Sequence, residues 1–413
     1  MRSGTMYGSR AARTFRLAFG FLLSGIIGWA QSSILLQHAN LIDGLSDQPI
    51  RDVTILIQAG RIASVSRVIE NPPAIAVVLD LAGRWVTPGL IDTHQHLFDL
   101  KSARALVAAG VTTARTMHAD HFVDIGIRQL HRGGATDLPD VLASGYQLRP
   151  DMFVFEAFFL DFPELASLIK GKVTGAQNVR RLVQANVRHG VDQIKILATE
   201  RGGTPDTDPR LQTFTENEMT AIVAEAQASG LSVAAHAHGD EGAAAAVRSG
   251  VSTIEHGSFL SDATINLMKE HDTCLVPTIG MEDAVFKAPF FQNATPQFRE
   301  RTRASFAARR DAAARAWRKG IRIAAGTDTN LINVSTEVAA LVKIGMPPMD
   351  AIKAATSQAA RCLGIGSRTG SIRAGFEADL LVINTDPLGD ITALQKVVFV
   401  INDGTIAINQ LGK

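Results

Sequence analysis

Between residues 85 and 328 the chain repeats one theme: a short apolar, β-branched run, a polar break, then a stretch of helical period. That alternation calls for a parallel sheet buried on both faces, because crossover helices cover the strands they connect. The apolar runs fall at 85–94, 111–117, 141–148, 193–198, 232–236, 252–256, 273–278 and 321–328, joined by helices such as 215–229 and 296–319. Eight such strands spread over roughly 290 residues fit a closed (β/α)8 TIM barrel. An open doubly wound sheet, the other α/β solution, wants a glycine-rich phosphate loop after its first strand. Asp92-Thr-His-Gln-His96 stands there instead.

The two ends of the chain have a different texture. Residues 34–68 alternate as short strands with turns at Asp43-Gly44 and Ala59-Gly60-Arg61, and strands return at 378–383 and 396–401 around Asp386-Pro387. With no helical period in either stretch, the ends are expected to pair into one small β-sandwich. The expected organisation is a signal peptide over 1–30, sandwich over 31–84 and 373–413, and barrel over 85–372.

The signal-peptide assignment rests on Arg2, Arg10, Arg13 and Arg16 preceding an apolar run over 17–30, with small Gly28 and Ala30 before Gln31. At about 14 residues the run is short of the roughly 20 that a spanning helix needs. Export to the periplasm or medium follows, with no stable membrane insertion after cleavage; a retained anchor or a mis-assigned start is the alternative. The whole chain balances 41 basic against 40 acidic residues, and 41 less the 4 arginines of that segment leaves 37 against 40. Such a charge balance carries no nucleic-acid footprint. Cys274 and Cys362 are the only cysteines, read as small buried apolar residues rather than a disulfide framework.

His94 and His96 end the first barrel strand two residues apart, so both imidazoles project to the same side of it. Convergent imidazoles suit a borderline metal such as zinc, although an isolated His-x-His is more often a pair of hydrogen-bonded core histidines. Lys195 shifts that balance, since it lies inside the apolar strand Ile194-Lys-Ile-Leu-Ala198, where an unpaired ammonium is costly. It is explained either by a salt bridge to an inward carboxylate such as Asp92, or by a lowered pKa that lets the neutral amine combine with CO2 as a metal-bridging carbamate. His236, His256 and Asp328 end three further strands, where a barrel places its active site. Asp92 faces inward below His94 and is expected to orient ligands, while Glu255 and Thr327 alternate away and are expected to be structural.

These residues resemble the amidohydrolase superfamily. Pro88-Gly-Leu-Ile-Asp-Thr-His-Gln-His96 matches its first-strand motif, and Lys195, His236, His256 and Asp328 follow in the family's order; Gly375-Phe-Glu-Ala-Asp379-Leu-Leu-Val matches the return to its β-sandwich. The segments around Lys195, Ala-Ala-His236-Ala-His238-Gly, Ile-Glu-His256-Gly and Val276-Pro-Thr look most like the imidazolonepropionase-like and prolidase-like branch. The resemblance implies two divalent ions, zinc ahead of manganese, cobalt or iron, one held by His94, His96 and Asp328 and the other by His236 and His256. A CO2-derived carbamate on Lys195 would lie between them. Such ions acidify water and polarise a carbonyl, and Asp328 would act as base and then acid.

By the same resemblance, the reaction is amide C–N hydrolysis in dipeptides or N-acyl amino acids with a free carboxylate, aromatic N-acyl amino acids such as ochratoxin-type amides included. Opening of a cyclic amide, urea or lactone is the second reading. A metal-free structural or assembly protein is the third, opposed by six ligand positions that all carry competent residues. The expected partners are a small-molecule substrate and further copies of the chain. His238 stands where the branch often has a tyrosine that contacts the substrate carboxylate. With His118, Tyr146, Arg201 and Arg210 it completes the candidate substrate-binding set, each also explicable as a solvated or structural side chain.

Overall fold

The computed structural model describes residues 33–412 apart from 71 and 204; the expected signal segment, 1–30, lies outside the described residues. Barrel strands one to seven are Leu90–Gln95, Val111–Thr116, Asp140–Leu142, Gln193–Leu197, Ser232–Ala237, Thr253–His256 and Cys274–Val276. Parallel ladders join strands one to three and four to seven. Leu148 bridges the two arcs, donating through its N–H to Lys195 O and accepting from Leu197 N. Residues 321–328 fill the eighth position without a regular ladder. Leu275 N donates to Arg322 O on one side, and on the other Thr93 N donates to Ala325 O and Asp328 N to His94 O. The ring therefore closes, and Gly326 is what lets it close: a Cβ there would lie 2.6 Å from His94 Cβ.

Two strand expectations need correction. The run 85–94 is two strands, Trp85–Pro88 in the terminal sheet and Leu90–Gln95 in the barrel. They part at Gly89, whose position brings the backbone so close to Thr112 that a Cβ would lie 2.2 Å from its hydroxyl oxygen. The run 141–148 pairs only at its ends, because the Asp124 carboxylate accepts from Ser144 N and Gly145 N and draws the intervening backbone out of the ladder.

The terminal segments form one sheet, in the order Thr405–Asn409, Val397–Asn402, Leu380–Ile383, Trp85–Pro88, Ile34–Leu41, Ile50–Gln58, Arg61–Ser66, with Val77–Asp80 also on Ile34–Leu41. The sheet curls over, since Ile62 N donates to Phe376 O and Ala378 N to Gly60 O. Leu36, Ile55, Phe399 and Ile401 are among the residues enclosed in its own core. This is the small β domain on a TIM barrel expected from the sequence.

The helices start where their caps allow. Thr215 and Glu218 make a reciprocal capping box ahead of Glu216–Ala228, a device worth about 1 kcal/mol. Thr295 caps Pro296–Arg318, whose proline sits at the start, where a missing N–H costs nothing. Among the described residues no helix is long and apolar enough to cross a membrane.

The reading of the cysteines as unpaired is overturned. Cys274 on strand seven and Cys362 at the end of helix Ser357–Cys362 form a disulfide, Cα atoms 6.0 Å apart and 88 residues apart in sequence. Both half-cystines belong to a small apolar cluster with Ile91, Val276 and Ala324, so burial was foreseen but the pairing was not.

Candidate metal centre and active site

At the C-terminal ends of the strands, His94, His96 and Asp328 place one ligand atom each within 4.8 Å of the others, as do His236, His238 and His256. Asp328 Oδ1 lies 3.1 Å from His94 Nε2 and 3.2 Å from His96 Nε2. His94 is set from behind: its Nδ1 is 2.8 Å from Glu255 Oε2. Burial alone would raise the Glu255 carboxyl, but Arg115 and His94 hold it down at about 2. The ionised carboxylate therefore accepts a hydrogen bond from Nδ1–H, which leaves Nε2 facing Asp328 with a lone pair. Two imidazole lone pairs and a carboxylate oxygen aimed at one point repel unless a cation lies between them, so the donor set fits a divalent metal.

Asp92 ties the rims of strands one and eight. Its carboxylate accepts from His94 N at 3.2 Å, Thr327 Oγ1 at 2.7 Å and Gln95 Nε2 at 3.2 Å. Burial raises Asp92 to about 6. His256 and Asp328 both take left-handed backbone, φ 73° and 56°, a conformation that costs non-glycine residues about 1–3 kcal/mol and concentrates at functional sites.

In the second cluster the rings of His236 and His256 have centroids 4.6 Å apart, and those of His238 and His256 lie 4.9 Å apart, stacked. Burial, and then the Lys195 ammonium, push His236 down to about 3, which keeps its imidazole neutral and able to ligate. Burial also drives His238 and His256 well below the ordinary histidine value.

Lys195 is 2% exposed and lines the same cavity as both clusters. Among the described residues its ammonium has no ion pair or hydrogen bond, and the salt bridge to Asp92 offered as one explanation is not formed. Burial lowers it to about 8, against the opposing pull of Glu255 and Asp328.

The cavity above these residues is about 540 Å³. His118, Arg201 and His238 line it; Tyr146 and Arg210 do not. The Tyr146 hydroxyl donates to Asp161 Oδ2 at 2.6 Å and accepts from His121 N at 3.0 Å, with the ring fully buried. Arg210 lies over the Phe259 ring, 4.4 Å from its centroid. His238 joins the second histidine cluster, a ligand-type position rather than a purely substrate-facing one.

Sequence reasoning missed Arg309, which lines the cavity from helix Pro296–Arg318. The signal was there in the helical period: Phe298, Thr302, Ser305, Phe306 and Arg309 share the buried face, so an arginine stands in the apolar stripe. It also set Glu255 aside as merely structural, though this residue orients His94.

The profile of the Amidohydrolase family matches residues 85–407. A Xaa-Pro dipeptidase solved with methionine in its active site superposes with a TM-score of 0.82 at 30% identity, covering 91% of this chain and 99% of that one. Ochratoxinase of Aspergillus niger is 32% identical over 225 residues, 54% of this chain, so the match spans about half (47%) of that relative. Imidazolonepropionase of Acidiphilium cryptum is 26% identical over 411 residues, 87% of this chain and 94% of the relative. The chain belongs to the amidohydrolase family, in its imidazolonepropionase-like and prolidase-like branch.

Proposed function

We propose that this protein is a binuclear metal-dependent hydrolase that cleaves the amide C–N bond of dipeptides or N-acyl amino acids bearing a free carboxylate, aromatic N-acyl amino acids and ochratoxin-type amides among them. The observation that carries the reading is the buried, partnerless Lys195 in one cavity with two ligand-type clusters, His94/His96/Asp328 and His236/His238/His256. His94, His96 and Asp328 would hold one ion, His236 and His256 the other, and a CO2-derived carbamate on Lys195 would be shared. His238 would add to the second ion or meet substrate. Zinc suits these donors, with manganese, cobalt or iron as alternatives.

When bound, divalent ions would make a water more acidic and polarise the scissile carbonyl. The chain's own residues do the rest. Asp328 would be ionised beside a bound divalent ion, whose charge favours the carboxylate. A carboxylate oxygen of Asp328 takes the proton of the attacking water and delivers it to the leaving nitrogen, so that water and amide become acid and amine. Glu255 keeps the His94 tautomer, and Asp92 keeps strands one and eight in register.

The match to imidazolonepropionase over most of the chain favours ring opening of a cyclic amide as the second reading. A panel of C-terminally varied dipeptides and N-acyl amino acids, run beside cyclic amides, ureas and lactones, separates the two. Turnover of the linear amides is the expected result; silence there with turnover of a ring substrate would replace the first reading by the second.

Export is part of the proposal. Its support is the arginine-led apolar segment at 1–30 together with the Cys274–Cys362 disulfide, a bond that persists in oxidising compartments.

A further inference from the structure

Four arginines are buried among the described residues, Arg115, Arg128, Arg149 and Arg309. Three hold a carboxylate: Arg115 holds Glu255, Arg128 holds Asp192 and Arg149 holds Asp151. Arg309 holds none, and every partner it has is neutral. Its Nε donates to Ser258 Oγ at 3.3 Å, and its Nη1 to Thr278 O at 3.1 Å and Thr278 Oγ1 at 3.0 Å. No acceptor among the described residues takes a hydrogen bond from Nη2. Arg309 as a residue is 6% exposed and lines the cavity, and although burial lowers its guanidinium to about 10 it remains a cation at neutral pH.

Asp328, Glu337 and Glu282 favour its charge from beyond ion-pair distance, but no described carboxylate pairs with it directly, and a buried cation left unpaired is costly until an anion arrives. Arg309 also adjoins the proposed reaction centre. Thr278 Oγ1 is 2.8 Å from His256 Nδ1 and Ser258 Oγ is 2.7 Å from His238 Nδ1. Phe298, Phe306, Phe290, Met281 and Val285 also line the cavity, with Arg301, Thr302 and Ser305 among the polar lining, and Arg309 lies 4.6 Å over the Phe306 ring.

We propose that Arg309 binds the carboxylate of the substrate's C-terminal residue through its free Nη2 edge, setting a large apolar side chain against the Phe298, Phe306 and Met281 wall. The inference rests on the amide-hydrolase reading and deepens it. Arg309 supplies the anionic subsite, and the aromatic wall selects phenylalanine-like residues over small or polar ones.

The test is equilibrium binding to the metal-loaded full chain, by calorimetry at pH 7, of L-phenylalanine and of L-phenylalaninol, which keeps the ring and ammonium but lacks the carboxylate. The wild type is expected to favour L-phenylalanine by at least ~30-fold, the order expected for a desolvated charge pair. Arg309→Met is expected to abolish that preference, and Arg309→Lys to keep part of it. Four outcomes overturn the proposal: no binding of L-phenylalanine by the wild type, no discrimination by the wild type, a preference that survives in Arg309→Met, or equal weakening of both ligands in Arg309→Met and Arg309→Lys. The last is what a residue that only props up Ser258 and Thr278 would give. Binding is read without turnover, so failure of the hydrolase reading, seen as silence on the amide panel, is separately visible.

Discussion

Glu255 Oε2 lies 2.8 Å from His94 Nδ1, with the two side chains 0% and 2% exposed. Strand six thus reaches across the barrel to fix the tautomer of a strand-one histidine, while Arg115 Nη2 donates to the other carboxylate oxygen at 2.8 Å. Removing the charge loosens that arrangement without removing a candidate ligand. Glu255→Gln is expected to weaken metal binding by about 10- to 100-fold, as loss of an outer hydrogen-bond partner does. Competition with a coloured chelator measures it, and an unchanged affinity would deny Glu255 the role.

Lys195 carries the second prediction. Glu255 and Asp328 act on it only from beyond ion-pair distance, and the lack of a direct partner among the described residues makes sense if the amine is modified to a carbamate that is itself an anion. Protein equilibrated with ¹³C-bicarbonate should show a carbamate carbon signal that is absent from Lys195→Ala, and that variant should lose most turnover and retain fewer ions per chain. Equal metal content and turnover in the two proteins would end this part of the account.

Glu337 makes stability depend on pH. Its carboxyl is fully buried, accepts from Ile279 N at 3.1 Å and from Gly280 N, and is raised from 4.5 to about 8, burial outweighing those N–H donors. A folded value above the unfolded one means that the folded chain binds the extra proton. The stability it gives is full below about 4.5 and is lost as pH rises through about 8. The melting temperature of the wild type should carry a downward component between those limits that Glu337→Gln lacks. Parallel profiles for the two proteins would contradict the assignment.

The disulfide closes a loop of 88 residues between strand seven and helix Ser357–Cys362. The purified protein should show no free thiol unless reduced and unfolded. Reduction, or Cys274→Ser with Cys362→Ser, should cost about 2–5 kcal/mol of stability, measured by denaturant unfolding. Titratable thiols in the untreated unfolded chain would show that the pair is not joined.

Much of this was legible in the sequence because barrel strands end in short, directional motifs. His94, His96, His236, His256 and Asp328 lie in or beside apolar runs whose alternation dictates which way each points, and Lys195 stood out by being charged where its neighbours are apolar. What stayed hidden depends on closure in three dimensions. Glu255 does alternate away from the rim, yet the closed ring brings that face against His94. Arg309, more than fifty residues after His256, approaches from a helix, and only its place in the buried stripe hinted at it. Tyr146 was read as the end of a regular strand, whereas the backbone before it is bonded to the Asp124 carboxylate through Ser144 N, and the Tyr146 hydroxyl donates to Asp161 Oδ2. The cysteines, 88 residues apart, meet because strand seven and the last barrel helices share one apolar cluster.

The central claim is that two ions held by these clusters drive amide hydrolysis. Zinc titration of chelator-stripped protein, following release of L-phenylalanine from N-acetyl-L-phenylalanine, tests it most directly. The account predicts no release from the stripped protein and activity that rises with added zinc until two ions per chain are bound. Release that is undiminished by stripping, or that stays absent once both ions are bound, would contradict it.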